Sequence, residues 1–195
     1  MKSRRAELVA DSAITVLAER GVHGLTHRTV DETAGLAPGS ASNVARTRLA
    51  LLELVLERLA ELDTVAFGFG AEPVVPEGTA TAAVLDMFAA MTARTLHVRL
   101  TSERRQSIAR YELAMEATRH PGLRELYDAV GRRLRDPVVA MFAALGSPDP
   151  ARHGQQAVAF LEGVMFDALA GAGSEPAEEG IRLGVRELFR GMLGQ

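Results

Sequence analysis

Apolar residues along this chain recur at intervals of three and four, and nowhere does apolar–polar alternation last for the length of a strand. Val74-Val75 stands isolated between Pro73 and Pro76. The pattern predicts an all-α fold. Ala10, Ala13, Ile14, Leu17 and Ala18 form one stripe, which Gly21 should end. Leu51, Leu52, Val55, Leu59 and Leu62 form another, with Thr47 placed to cap it. A Gly- and Pro-rich break follows from Gly68 to Gly78. Beyond it, helices are expected near 79–99, 103–118, 121–146, 150–172 and 177–193. Pro121 suits the first turn of the third of these. Pro137 lies within the same segment and is expected to kink or split it, because proline removes a backbone donor and crowds the preceding turn.

The length of 195 residues exceeds a common single domain of about 100–150. A small front unit, 1–48, and a larger rear bundle, 49–195, account for it. With no Cys, disulfide frameworks, thiol catalysis, iron–sulfur clusters and Cys-type zinc sites all drop out. His23, His27, His97, His120 and His153 are scattered without ligand spacing, so no metal is called for. No nucleophile elbow, phosphate loop or dinucleotide fingerprint appears, so no cofactor and no enzyme are expected. Glu112 and Glu116 stand one helical turn apart, but without a nucleophile or metal they read as exposed helix charges.

Lys2, Arg4 and Arg5 are not followed by the apolar core of a signal peptide. The apolar run Val138–Leu145 is far short of the roughly 20 residues that a membrane span requires. A cytoplasmic location is the expectation. The net charge of −3 does not advertise a nucleic-acid partner. Its distribution is more informative. Residues 1–60 hold eight Lys and Arg against seven Asp and Glu, so the acidic surplus lies in the rear bundle.

The front cations flank a helix-turn-helix pattern. Thr26 is placed to cap a short helix ending at Ala34, Gly35 supplies the turn, and Pro38 opens a second short helix over about 38–44. That second helix lacks Leu and Ile. Ser40, Ala41, Ser42, Asn43 and Ala45 are small or polar, as suits side chains that approach base edges and phosphates in a major groove. Arg46 and Arg48 follow it, and Arg28 lies near the start of the preceding helix. Lys2, Arg4 and Arg5 form a basic arm.

These residues resemble the TetR family of transcriptional regulators. The likeness is carried by Glu19-Arg-Gly-Val-His-Gly-Leu-Thr-His-Arg-Thr-Val, Ala34-Gly-Leu-Ala-Pro-Gly-Ser and Arg46-Thr-Arg-Leu-Ala-Leu-Leu, within about the first 60 residues. It implies a three-helix DNA-binding head, a connecting helix, a ligand-binding bundle and a homodimer built on the last two helices. By position it places Thr26 and Arg28 at the DNA backbone or a base edge. Ser40, Ser42 and Asn43 fall on the recognition helix, with Arg46 and Arg48 at a phosphate. The chain departs from the family pattern at Ser42, where an aromatic is common, and at Ala45, where Phe is common. One phosphate contact and some apolar support for the recognition helix go with them.

In the rear bundle, Met87, Met91 and Val98 share a helix face with Arg94, while Leu85, Phe88, Thr92 and Leu96 line the other. A helix apolar on both sides is expected to be buried, and an Arg within it needs a partner or an anionic ligand. Tyr111, Met115, Tyr127, Met141, Phe142 and Phe166 join Met87, Met91 and Arg94 as candidates for an effector pocket. Val158, Leu161 and Met165 form one candidate dimer stripe. Gly184, Val185, Leu188 and Met192 form another, where repeated glycine permits close helix approach at a propensity cost of about 1 kcal/mol each.

The reading is a homodimeric, small-molecule-responsive repressor that binds a palindromic operator in double-stranded DNA, without a membrane partner. The alternatives are a helical protein-interaction scaffold and a small-molecule-binding protein without sequence-specific DNA binding.

Overall fold

The computed structural model describes residues 3–67 and 81–194. Lys2, the break at Gly68–Gly78 with Val74-Val75, and Gln195 lie outside the described residues. Among the described residues all regular structure is helical. The elements are α1 (Arg4–Gly24), α2 (His27–Ala34), α3 (Ser40–Val44), α4 (Arg48–Phe67), α5 (Thr81–Leu100), α6 (Arg104–Ala117), α7 (Pro121–Ala144), α8 (Pro150–Leu169) and α9 (Glu178–Leu193).

Two compact units divide the chain. The first is Met1–Val65 with Arg105–Gly131, and the second is Ala66–Arg104 with Arg132–Gln195. This partition is by packing and cuts the chain differently from the expected 1–48 and 49–195, since most of α6 and the first part of α7 group with α1–α4.

The first unit is built on the stripe foreseen in α1, where Val9, Ala10, Ala13, Ile14 and Leu17 are buried. The regular helix breaks at Gly21, whose φ of 64° is non-helical, and one further turn carries the chain to Gly24. Val30 of α2 and Ala41 of α3 meet Leu51, Leu52, Val55 and Leu59 of α4 in one core. Ala109, Leu113 and Ala117 of α6, with Leu123 and Val130 of α7, close it. Each fully buried Leu contributes about 2 kcal/mol against exposure, so α6 is integral to this core. Thr47 opens α4 as expected, its hydroxyl accepting from the Ala50 N–H at 3.0 Å.

In the second unit α9 packs on α5, and α8 contacts both. Asp86 of α5 and Arg186 of α9 form an ion pair at 2.7 Å. The α7–α8 junction is tight: a Cβ on Gly154 would stand 2.7 Å from Val139 Cγ2 and 3.0 Å from its Cα. Asp149 caps α8 by accepting from the Arg152 N–H at 3.2 Å, with Pro150 in the first turn.

From α5 onward the described helix limits follow the sequence reading closely, but Pro137 acts otherwise than expected. Pro137 neither splits nor ends α7, which continues to Ala144. Pro137 and Arg133, whose carbonyl loses its helical donor, are both exposed. That carbonyl therefore faces solvent and its loss is tolerated.

Candidate functional site

The helix-turn-helix is assembled by local hydrogen bonds. Thr26 Oγ1 accepts from the Thr29 N–H at 3.1 Å, and Thr29 Oγ1 accepts from the Thr26 N–H at 3.0 Å. This reciprocal pair fixes the start of α2 with Thr in the place usually taken by Glu or Gln. At its other end Gly35 adopts φ 63°, and its N–H bonds the carbonyls of Asp31 and Glu32. That left-handed turn suits glycine.

α3 begins at Ser40, two residues later than expected, with Gly39 in the capping position and no capping side chain of its own. Asp31 supplies the missing acceptor from α2. Its Oδ2 accepts from the Gly39 N–H at 2.8 Å and its Oδ1 from the Ala41 N–H at 2.7 Å. At the far end of α3, His27 Nε2 lies 2.6 Å from the Ala45 carbonyl oxygen.

The outward surface of this unit carries much of the expected DNA-facing set. Asn43 and Arg46 are exposed, and Arg46 makes no ion pair among the described residues. Ser42 is half-exposed and donates to the Gly39 carbonyl at 2.9 Å, leaving oxygen lone pairs free to accept. Thr26 is exposed with its hydroxyl engaged in the cap. Arg28 is exposed and paired with Glu32 at 2.8 Å, and that hydrogen bond raises its pKa further.

Two expected residues are engaged within the unit, Ser40 buried and Arg48 still exposed. Ser40 is only 3% exposed; its hydroxyl donates to the Ala37 carbonyl at 2.6 Å and accepts from Arg5 Nη2 at 2.8 Å. Arg48 is tied to the end of α1: Nη1 donates to the Leu25 carbonyl at 2.7 Å and Nη2 to the Val22 carbonyl at 2.5 Å. The Val22 carbonyl also accepts from the Leu25 N–H at 3.3 Å, so the guanidinium adds to the cap at the end of α1 and supplies the Leu25 carbonyl. His27, one of the scattered histidines, and Asp31, one of the seven acidic residues of the front, are internal partners. The available signal was Gly39: a helix opened by glycine needs an acceptor from elsewhere.

Glu112 and Glu116 are also not free surface charges. Glu112 Oε2 accepts from the Val22 N–H at 3.1 Å. Glu116 is buried between Arg119 at 3.4 Å and His120 at 3.1 Å. Arg110 of the same helix pairs with buried Asp63 of α4 at 2.5 Å. These contacts tie α6 to α1 and α4.

The expected effector residues fall in both units, with Tyr111, Met115 and Tyr127 in the first and Met87, Met91, Arg94, Met141, Phe142 and Phe166 in the second. α5 buries only one side. Leu85, Phe88 and Leu96 are inside, while Met87, Met91, Arg94 and Val98 share an exposed face. Arg94 is therefore at the surface and needs no buried partner. Phe142 is fully buried, with its ring edge-on to Phe189 at 5.0 Å and to His153 at 6.0 Å. It belongs to the buried core of the second unit. Met115 and Phe166 are exposed, and Tyr127 lies under the Arg124 guanidinium at 5.1 Å.

Among the dimer candidates, Val185 and Met165 point into the second unit and are buried there. Val158, Leu161, Leu188 and Met192 are half-buried. Gly184 faces the Phe160 ring, where a Cβ would meet Cζ at 3.4 Å. The exposed apolar residues of α8 and α9 are instead Phe160, Phe166 and Leu183, with Gly163, Gly180 and Gly191 open beside them.

One Ser–His pair invites a catalytic reading. Ser147 Oγ lies 2.7 Å from His153 Nδ1, but Arg152 Nη2 lies 2.9 Å from Nε2 and must donate to it. Nδ1 then carries the ring proton and donates to Ser147, so the imidazole is not placed to accept the serine proton. No group of three or more metal-ligating side chains occurs among the described residues.

Residues 79–195 match a family model described as the C-terminal domain of tetracycline repressor-like proteins. The chain belongs to the TetR family. This match and the front resemblance cover separate stretches of sequence, so each supports the other. No curated protein sequence matches the chain. Among solved structures, a TetR-family member from Streptomyces coelicolor A3 is 27% identical, with TM-score 0.73 over 95% of this chain and 98% of that one. The multidrug binding protein EbrR in complex with ethidium is 26% identical, with TM-score 0.67 over 96% of this chain and 99% of that one. A transcriptional regulator from Rhodococcus sp. Rha1 is 19% identical, with TM-score 0.78 over 97% and 96%, a likeness of fold. As a TetR-family member the chain is a ligand-responsive transcriptional regulator, not an enzyme. No helix among the described residues is long and apolar enough to cross a membrane.

Proposed function

We propose that this TetR-family regulator is a cytoplasmic homodimeric repressor that leaves a palindromic operator when a small molecule binds. Residues 1–48 would read DNA and residues 49–195 would sense and dimerise. The observation that carries the reading is the outward face of α3, where Ser42 and Asn43 are available beside Arg46 and, on α2, Arg28. Such short polar side chains on a groove-sized helix suit base edges, and the flanking arginines suit phosphates. Thr26 remains at the DNA backbone in this reading through its exposed position. Ser40 and Arg48 leave the contacting set and act as internal supports.

Two heads must sit about 34–36 Å apart to enter successive major grooves on one DNA face. An effector that binds one spacing of the heads more tightly than the other shifts the population between them. EbrR has been captured with ethidium, proflavin and malachite green, which supports a small-molecule effector here. The exposed Phe160, Phe166 and Leu183 of α8 and α9 supply apolar surface for a second copy.

Selection from a random duplex pool, followed by sedimentation of the complex, tests this. The expected result is enrichment of an inverted repeat bound by an even number of chains, with affinity falling steeply as salt rises. Enrichment of no sequence at low salt would sink the reading.

A further inference from the structure

α3 is a helix of five residues, Ser-Ala-Ser-Asn-Val, too short to be stable alone in water. Its apolar anchorage is slight: Ala41 and, just past its end, Ala45 are buried, and Val44 packs half-buried against the core. Something other than a hydrophobic wedge must fix its direction. Both ends are held by side chains of α2, four residues apart and so on one face of that helix. Asp31, 3% exposed, takes the Gly39 and Ala41 N–H groups at the start of α3. His27 Nε2 meets the Ala45 carbonyl at its end.

We propose that Asp31 and His27 form a polar latch that sets the angle of α3 on DNA, making both of them positioning residues for sequence reading. The latch rests on the reading of α3 as the recognition helix. A carboxylate accepting two N–H groups is a charge-assisted tie, and its removal leaves two donors unmet at the start of α3. Base-edge contacts depend on the angle of α3, whereas contacts from Arg28 and Arg46 to phosphates carry no sequence information. Loosening the latch therefore weakens specific binding and spares non-specific binding.

The test uses the full chain and two probes: a duplex enriched from a random pool by the unsubstituted protein, and a shuffled duplex of the same composition. Asp31→Asn turns an amide NH2 toward one N–H donor. It should lose about tenfold or more in affinity for the enriched duplex and less than about twofold for the shuffled one. His27→Ala should move the same ratio in the same direction, and His27→Gln, which keeps an N–H donor, should restore it. If Asp31→Asn fails to fold, the two His27 variants decide alone. An unchanged ratio in the folded variants, or equal loss on both probes, overturns the latch while leaving α3 as reader. If the unsubstituted protein enriches no duplex, both the reading of α3 and the latch fall.

Discussion

Arg48 and Arg46 are two residues apart and do different work because of what lies within their reach. Both are exposed, but Arg48 donates to the Val22 and Leu25 carbonyls at the end of α1, while Arg46 makes no ion pair among the described residues. Arg48→Ala should therefore lower stability by about 2 kcal/mol, read as a shift in the urea midpoint, with the salt slope of DNA binding unchanged. Arg46→Ala should weaken every duplex by a similar factor and reduce that slope by about 1. Asn43→Ala should instead reorder the preferred duplexes, with a loss of about 1–3 kcal/mol confined to one base-pair position. Titrations of enriched and substituted duplexes across a salt series separate the three. From sequence alone Arg46 and Arg48 were indistinguishable, since both follow α3 and both are cationic. Only the return of the Val22–Leu25 turn to the start of α4 tells them apart.

Helix ends were the most legible elements, because caps are local. Thr26, Thr47 and Gly35 each act through bonds to residues within a few positions. The faces that helices turn outward were less legible. The two apolar sides of α5 look alike in sequence, and only packing buries Leu85, Phe88 and Leu96 while leaving Met87 and Met91 outside. The α8 cap gives a pH-dependent prediction. The Arg152 side chain, with its N–H, holds the Asp149 carboxyl below its ordinary pKa. A carboxyl lowered on folding contributes stability above its unfolded pKa and loses it as pH falls through the folded value. Asp149→Ala should thus lower the melting temperature at neutral pH, and the difference should vanish in strongly acidic melts. At the other helix contact, Gly154→Ala drives a methyl into Val139 and should cost about 1–3 kcal/mol in chemical denaturation.

At the scale of the molecule, the all-α architecture followed from helical spacing without strands, and the reading head from the residues around Gly35. What crosses long stretches of sequence was hidden. On α8 and α9, Phe160, Phe166 and Leu183 are exposed, while Val185 and Met165 are buried by packing within the second unit, a division that helical spacing alone does not show. Leu183→Arg should accordingly leave the helical content intact and shift sedimentation toward the single chain. The joint core of α1–α4 with α6 and the start of α7 also bears on how such regulators can be recombined. A hybrid that joins this head to a foreign sensor after α4 leaves Leu51, Val55 and Leu59 without Ala109, Leu113 and Leu123 as their floor. The transplantable module is discontinuous: it must bring its own α6, or a foreign helix of matching relief, to stay folded.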